Sequence, residues 1–331
     1  MVLVAVGYGV FAIVRSATRA SPGPLAIATP VQSYAIDYRV VFTNGHVVNT
    51  DHHVVSRPFR SLYTTTRGGE PVTGSIVNDK GTWYFQPPQW QLINPGGSLA
   101  GDDPEPTAAL REGIKRHLAK VIGTRTVIGR RCTLVRTGSP LGETMKKATA
   151  RNHTDLCVDR NDLILDYRWT LNGKLAHTMR ATSLDLHPDV SEATFTPSPV
   201  NDSPSPVTAG ALSDAARSTL DPRLVPPAGV QYVGGWVRIE QTGNSPAPRI
   251  STSEIYRTAS GEAIEVQYGG ADASPSGIEV RLSNGRLASL DLTIDHSTVT
   301  VTVGTQAVRL TGRDPAVLLR LAASVVSKAS S

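Results

Sequence analysis

Hydrophobic and polar positions alternate in short runs along most of the chain. The first run is Ile36, Tyr38, Val40 and Phe42, with mostly charged residues between them. A period of two predicts a half-buried β-strand, and the Asn44-Gly45 pair behind it predicts a hairpin turn. Similar runs predict strands over residues 53–56, 60–66, 74–78 and 82–85. This part of the chain therefore predicts an antiparallel meander.

A helical spacing follows, because Leu110, Ile114, Leu118 and Val121 recur every three or four positions. Basic residues occupy positions between them, so the pattern predicts an amphipathic helix over 110–121 that covers one face of the sheet. Period-two runs then resume. They predict strands over residues 125–136, 155–159, 163–171 and 175–186, the last two joined by an Asn172-Gly173 turn.

Residues 196–229 differ in composition from the segments on either side. They contain seven prolines among Ser, Thr and Ala, which is typical of a linker, with a short helix expected near 209–220. Strand patterns then return over residues 232–241, 249–257, 263–268, 277–282, 287–294, 298–303 and 307–310, and Asn284-Gly285 predicts a further turn. Asp314 as N-cap and Pro315 at the first helical position predict a C-terminal helix on the second sheet.

These elements predict a mainly β, α+β fold with two domains. We expect a leader over residues 1–24, a first β domain over 25–196, a Pro-rich linker over 197–228, and a second, smaller antiparallel β domain over 229–331 with a C-terminal helix. A length of 331 residues suits two domains, each with its own core. A hydrophobic content of 40% with 18% charged residues excludes a disordered chain.

The run from Val2 to Val14 is apolar and uncharged, and Arg15 and Arg19 follow it. Thirteen residues are fewer than the roughly 20 that cross a bilayer, so a signal peptide or a shortened membrane anchor is predicted. A buried N-terminal strand or helix is the alternative. Because no basic residue precedes the run, we expect the natural start to lie upstream. The sequence thus predicts a protein of the cell envelope, anchored or secreted.

Cys132 and Cys157 are the two cysteines, and each lies in an apolar, strand-like segment. In an exported protein, an even count at this spacing predicts a disulfide that contributes about 3 kcal/mol in the chain-entropy model. Two free buried thiols are the alternative. Metal binding is not predicted, because two thiols without a Cys-x-x-Cys spacing make a poor zinc site.

Positive charge is concentrated between Arg111 and Arg151. This region has eleven basic residues against two acidic ones, so its net charge is +9 while the rest of the chain carries −4. The region could attract anionic lipid headgroups or an acidic cell-surface polymer, or it could be the solvated surface of a helix and strands. Nucleic acid is not predicted as a partner, because aromatic residues are not interleaved with the basic ones.

Sequence motifs of catalysis are missing: there is no G-x-S-x-G, no G-x-x-x-x-G-K, no H-E-x-x-H and no G-x-G-x-x-G after a strand. His46, Asp51, His52 and His53 could offer metal ligands, but adjacent residues of a strand point to opposite faces. A turn followed by a strand is the simpler interpretation. We predict no enzyme activity, no metal and no cofactor; a hydrolase with an unrecognised site is the minor alternative.

Aromatic residues are concentrated in the first predicted domain. On the concave side of a curved sheet, such residues can line a cavity the size of a lipid, although core packing explains any one of them equally well. The predicted pocket residues are Tyr38, Val40, Phe42, Tyr63, Trp83, Phe85, Leu110, Ile114, Leu118 and Trp169.

The order of leader, meander, helix and final strand block resembles the periplasmic lipoprotein-carrier and sigma-factor-regulator superfamily typified by LolA, LolB and RseB. The final block is Leu156-Cys157-Val158-Asp159, followed by Leu163, Leu165, Ala181-Thr182 and Phe195. Arg57-Pro58-Phe59-Arg60 before Leu62-Tyr63 resembles a strand entry of RseB-type members. Leu318, Leu319 and Leu321-Ala322-Ala323-Ser324 resemble the closing helix of two-domain sensor lipoproteins.

The resemblance covers mainly residues 31–196 and implies an unclosed half-barrel that wraps around helices and encloses an apolar cavity. The sequence departs from the family in Asn161-Asp162 where Asp-Gly is expected, and in having no lipobox cysteine. Two functions follow as hypotheses. The first is a non-catalytic carrier of a lipid, acyl chain or lipoprotein. The second is an envelope signalling regulator that binds an anti-sigma factor or another membrane protein.

Overall fold

The computed structural model describes residues 25, 31–43, 47–57, 60–95, 106–201, 207–240, 249–269 and 277–327. These residues form two large antiparallel sheets, a two-stranded ribbon and three α-helices. The predicted fold class is confirmed: the chain is mainly β, its first sheet is open, and its second sheet carries a C-terminal helix. The leader, the Asn44-Gly45 turn and Pro58-Phe59 lie outside the described residues.

The first sheet has two meanders joined side by side. The strands of the first are β1 (Ser33–Phe42), β2 (Val47–Ser56), β3 (Arg60–Arg67), β4 (Glu70–Asn78), β5 (Gly81–Gln86) and β6 (Gln89–Pro95). Those of the second are β7 (Ala119–Val127), β8 (Arg130–Thr137), β9 (His153–Asp159), β10 (Ile164–Leu171) and β11 (Lys174–Asp185). Since β1 pairs with β11, the order runs from β6 through β1 and β11 to β7, and the sheet does not close.

The helix on this sheet, α1 (Pro106–Lys115), is shorter than the predicted helix over 110–121. His117 adopts a left-handed φ of 61°. The N–H of Leu118 then bonds the carbonyl of Gly113 at 2.8 Å, and that of His117 bonds Ile114 at 3.1 Å. These two bonds form the helix-ending Schellman pattern, so the chain leaves the helix before Val121, which lies in β7.

The single strand predicted over 125–136 is also corrected. It is a hairpin of β7 and β8, and its two-residue turn is Ile128-Gly129 with φ values of 44° and 76°. Positive φ at both central positions defines a type I′ turn. The branched Ile128 is a poor sequence signal for such a turn, since left-handed residues are seldom β-branched. By contrast, Asn172-Gly173 forms the predicted turn, with φ values of 52° and 78°.

The second sheet has eight strands. They are β12 (Val207–Ala211), β14 (Val230–Glu240), β15 (Arg249–Thr258), β16 (Ala263–Tyr268), β17 (Ile278–Arg281), β18 (Leu287–Leu292), β19 (Ser297–Val303) and β20 (Gln306–Gly312). The ribbon pairs β13 (Arg223–Leu224) with β21 (Val325–Val326), and α2 spans Asp214–Ser218. Thus β12, α2 and β13 lie within the segment predicted as a linker, and β12 pairs with β14 in the second sheet.

The C-terminal helix, α3 (Pro315–Ala323), begins as the sequence predicts. The Asp314 side chain is the N-cap and accepts a hydrogen bond from the N–H of Ala316 at 2.8 Å. Glu262 Oε1 accepts from the N–H groups of Arg313 and Asp314 at 2.9 and 2.8 Å. The helix packs on β18, β19 and β20, so it covers the second sheet.

Buried apolar residues of both sheets belong to one core cluster. The N–H of Met145, in the loop between β8 and β9, bonds the carbonyl of Leu292 in β18 at 2.5 Å. The Met145 side chain packs so closely on Gly113 of α1 that a Cβ there would collide with its sulfur. A second, smaller cluster contains Val54, Ile76, Trp90 and Phe195, the last from a 3₁₀ helix over Glu192–Phe195.

Candidate functional site

Strand register defines which side chains share a face of the first sheet. Directly opposite residues of neighbouring strands lie on the same face. Tyr38 lies opposite Ala181, Val40 opposite Met179, and Phe42 opposite His177. The same face continues through Trp169, Thr154, Thr137 and Ala119, and a Cβ on Gly113 of α1 would lie 3.5 Å from the Cβ of Ala119. We call this helix-covered side the inner face.

Aromatic rings follow one another along the inner face in two groups. In the first, Phe42 stacks on His177 with 4.3 Å between ring centroids, and Tyr167 meets the same His177 edge-on at 5.2 Å. In the second group, His53 lies 5.3 Å from Tyr38 and 4.6 Å from Tyr63, both edge-on. Because Tyr38 and Phe42 each lie two positions from Val40, both groups flank the same stretch of β1.

Three exposed apolar side chains stand where β1 and β10 end and β11 begins. Phe42 is 41% exposed, Leu171 39% and Leu175 44%. Thr43, which follows Phe42, donates its hydroxyl to the Leu175 carbonyl and so holds the ends of β1 and β11 together. We call Phe42, Leu171 and Leu175 the rim. Phe42 connects the rim to the inner face, since it stacks on His177. Leu175 lies opposite Thr170 and Leu171 opposite Lys174, so the two leucines lie on opposite faces of the sheet at this edge.

The inner face becomes polar away from the rim. The Asp51 carboxylate is buried and accepts hydrogen bonds from the hydroxyls of Thr65 at 2.8 Å and Tyr63 at 3.2 Å. Burial raises the pKa of Asp51 above its ordinary value of 3.8, while these hydrogen bonds oppose the rise. Burial also raises the pKa of Tyr63 to about 12. This end of the inner face therefore carries polar groups that are hydrogen-bonded to one another, and the rim end carries apolar side chains.

His177, which stacks on Phe42, is partly buried. Burial lowers the pKa of its imidazole below the ordinary value of 6.5. Its Nε2 atom is buried and has no hydrogen-bond partner among the described residues. At neutral pH the ring is therefore uncharged, and it acts as an aromatic surface between Phe42 and Tyr167.

The structure brings most of the predicted pocket residues to this side of the sheet. Tyr38 and Val40 are buried there, Tyr63 and Trp169 are half-buried, and Phe42 is exposed at the rim. From α1 and the residues after it, Leu110 is fully buried, while Ile114 and Leu118 pack against the same core.

Trp83 and Phe85 are not brought together with the others. They pack in the smaller cluster with Ile76 and Trp90 on the opposite, outer face, where the Phe85 and Trp90 rings lie 5.1 Å apart. The Trp83 indole N–H donates to Asn78 Oδ1 at 3.4 Å. These two residues therefore cannot line a cavity with Tyr38 and Val40.

Sequence reasoning missed His177, Tyr167 and the rim leucines. The signal was present in part, because Leu175, His177 and Met179 recur with a period of two along a predicted strand. The period of two does not show which strand will pair with this one, and so which side chains will share its face. Only the pairing of β1 with β11 places His177 under Phe42.

The predicted disulfide is confirmed. Cys132 in β8 is bonded to Cys157 in β9, with 5.3 Å between their Cα atoms. Cys157 lies opposite Leu134, two residues from Cys132, so the bridge is diagonal across neighbouring strands. Both cysteines are buried. The bond closes a 25-residue separation that includes Met145, which contacts the second sheet.

The basic region divides into paired and unpaired cations. Carboxylates neutralise five of its eleven basic residues, in the pairs Lys115 and Arg116 with Glu112, Arg125 with Asp166, Arg130 with Asp159, and Arg136 with Asp155. Six exposed ones form no ion pair with the described residues: Arg111, Lys120, Arg131, Lys146, Lys147 and Arg151. We call Lys120, Lys146, Lys147 and Arg151 the cationic end, since they flank the junction of β7, β8 and β9.

The histidine cluster does not converge. His52 points to the outer face, where its Nδ1 lies 2.6 Å from Asp37, while His53 and Asp51 lie on the inner face. His46 lies outside the described residues. Within the part of the chain that the structure describes, no group of three His, Cys, Asp or Glu residues could hold a metal ion. In the same part, no helix is long and apolar enough to cross a membrane.

No protein-family model and no curated protein matches the sequence. Solved structures do resemble it. MucB in the Pseudomonas aeruginosa MucA/MucB complex is 15% identical, covering 89% of this chain and 93% of that one, with a TM-score of 0.35. Another MucB structure is 13% identical, covering 92% and 95%, with a TM-score of 0.36. The Mycobacterium tuberculosis lipoprotein LppX is 11% identical, covering 49% and 90%, with a TM-score of 0.30. The function of this chain is therefore inferred from its own residues.

Proposed function

We propose that this chain is an extracytoplasmic, non-catalytic binding protein whose first sheet holds an acyl chain, as a free lipid or as part of a lipoprotein. The rim is the entrance, and the ligand chain contacts Phe42 and His177 at the rim end of the inner face. The observation that supports the proposal is that the exposed Phe42 ring stacks on His177, which in turn meets the Tyr167 ring, so an apolar surface open to solvent joins a strip of aromatic rings.

Exposed apolar side chains are unfavourable in water, and an exposed apolar patch is typical of a binding site. Phe42 remains 41% exposed although it stacks on His177. A ligand chain on the rim would cover this ring. Ligand sites commonly combine such apolar walls with a few polar groups that fix orientation, and Asp51, Tyr63 and Thr65 supply polar groups at the far end.

Two further features support an extracytoplasmic location close to a membrane. The Cys132 and Cys157 disulfide is typical of oxidising compartments. The four exposed cations of the cationic end can attract anionic headgroups, at about 1 kcal/mol for each residue near the surface. The protein would then approach the lipid surface from which its ligand comes.

Lipid extraction and native mass spectrometry of the purified chain test the proposal. We expect a bound lipid mass that disappears on extraction, and uptake of a fluorescent fatty acid by the extracted protein. If no lipid mass is present and no fatty acid is taken up, the proposal is wrong.

The same rim could receive an apolar segment of a membrane protein, which is the second candidate: an envelope regulator. Crosslinking from a photoreactive residue at Leu175 in cell envelopes separates the two functions. A lipid adduct supports the carrier, whereas a single protein adduct, absent when the photoreactive residue is moved to exposed Leu287, supports the regulator.

Sedimentation with vesicles tests the cationic end separately. We expect binding to vesicles of phosphatidylglycerol and none to phosphatidylcholine, with loss of binding in the Lys146→Glu, Lys147→Glu variant. The matched control is Arg131→Glu, which lies at the opposite end of β8. Equal binding by all three proteins would show that the cationic end does not contact the membrane.

A further inference from the structure

A cavity of about 560 Å³ lies against the second sheet, away from the inner face of the first. Its walls are α3, the loop over residues 227–230 and the turn over 258–260. This volume is within the ordinary range of small-molecule sites, about 300 to 1,000 Å³. The cavity is therefore large enough for a small-molecule ligand, at a site that the proposed function does not use.

The walls of this cavity are mainly apolar. Val317 and Leu321, one turn apart on α3, line it together with Val230 and Ala259. Leu321 is only 1% exposed, so it forms the floor. Gly229 and Ala259 are small residues of this lining, and a Cβ added at Gly229 would lie in ordinary van der Waals contact, 3.9 Å, with that of Ala259. A larger side chain at either position would occupy the space.

Arg320 is the one charged side chain among the described residues that line the cavity. It is exposed and forms no ion pair with the part of the chain that the structure describes. Ser260 and Ser324 also line the cavity. An uncompensated guanidinium beside an apolar wall, with no carboxylate on the lining, suits a ligand that is apolar in its body and anionic at one end.

We propose that this cavity binds a fatty-acid-like ligand, with its carboxylate at Arg320 and its apolar tail between Leu321 and the 227–230 loop. The site lies on the second sheet and uses none of the inner-face residues, so it goes beyond the proposed function. The ligand class follows from charge complementarity: a guanidinium forms two parallel hydrogen bonds to a carboxylate, which an alcohol cannot match.

Calorimetric titration of the full chain with dodecanoate tests the site, with dodecanol as the uncharged probe. We expect Arg320→Ala to raise the Kd of one dodecanoate site about tenfold, which corresponds to about 1.4 kcal/mol. Dodecanol binding should be unaffected by the same substitution. Ala259→Trp should abolish the site by filling it. The matched control is Arg281→Ala, an exposed arginine on β17 outside the cavity, which should bind as the parent protein does.

Photoreactive dodecanoate with peptide mapping separates this site from the first sheet. Adducts within residues 227–230 or 317–324 support the cavity, whether or not β1 and β11 are also labelled. Adducts confined to β1, β10 or β11 overturn the cavity and leave the proposed function standing. The acyl assignment is also overturned if Arg320→Ala leaves dodecanoate binding unchanged, or if a peptide with an apolar C-terminal residue binds the cavity more tightly than dodecanoate.

Discussion

Arg217 Nε lies 2.5 Å from the Glu254 carboxylate, and Glu254 is only 2% exposed. Arg217 belongs to α2, whereas Glu254 belongs to β15 of the second sheet. The hydroxyls of Tyr256 and Tyr268 donate to the other carboxylate oxygen at 2.8 and 2.5 Å. Burial, and then the Glu254 charge, raise the pKa of both tyrosines. The pair thus fixes α2 on the second sheet.

Removing the arginine should leave the Glu254 charge buried without its cation. We expect Arg217→Ala to lower the free energy of unfolding by about 3 kcal/mol, since breaking one side of a buried pair has this effect. Adding Glu254→Gln to that variant should recover part of the loss. Urea unfolding followed by circular dichroism measures both changes. Arg223→Ala is the control, and an equal loss in the control would contradict the prediction.

Breaking the disulfide should destabilise the chain without changing its fold. For the Cys132→Ala, Cys157→Ala double variant we expect a loss of about 3 kcal/mol, because the unfolded chain regains the entropy of an open loop. Thermal unfolding with and without dithiothreitol is the measurement. Reductant should lower the Tm of the parent protein and leave that of the double variant unchanged. If dithiothreitol leaves the Tm of the parent protein unchanged, the disulfide does not stabilise the fold.

His177 should make stability depend on pH. Because burial lowers its pKa below 6.5, the unfolded chain binds more protons than the folded one as the pH falls through that value. Stability therefore decreases from pH 7 towards pH 5. We expect His177→Phe to flatten this part of the profile, as measured by urea unfolding across the range. The control variant His187→Phe, at an exposed histidine, should show the same dependence of stability on pH as the parent protein. If His177→Phe also shows that dependence, His177 is not its source.

Phe42 and Phe85 form a matched pair that separates ligand binding from packing. Phe42→Ala should reduce fluorescent fatty-acid uptake about tenfold, since a lost aromatic contact corresponds to about 1.4 kcal/mol. It should change stability little, because the ring is 41% exposed. Phe85→Ala should keep uptake and lower the free energy of unfolding by about 2 kcal/mol, since it packs against Trp90. The reverse pattern would place the binding site on the outer face.

Local chemistry made several features predictable. Period two identified β1 and most strands of the second sheet. Asp314 before Pro315 identified the start of α3, because capping depends on neighbours in the chain. Asn172-Gly173 identified its hairpin for the same reason. The mainly β class needed only these local patterns, whereas the open first sheet was implied by the family resemblance. The disulfide needed only two cysteines on predicted strands of an exported chain.

Non-local pairing decided the rest. The sequence alone determined that Phe42, Trp83 and Phe85 lie on faces of strands, since the period of two is a property of each strand by itself. Only the tertiary structure decided which faces coincide: β1 meets β11 across more than a hundred residues, and this pairing puts His177 under Phe42. It placed Trp83 and Phe85 on the opposite side, beside Trp90. A shift of one residue in pairing reverses every side chain of a strand, and that register depends on contacts far apart in the chain.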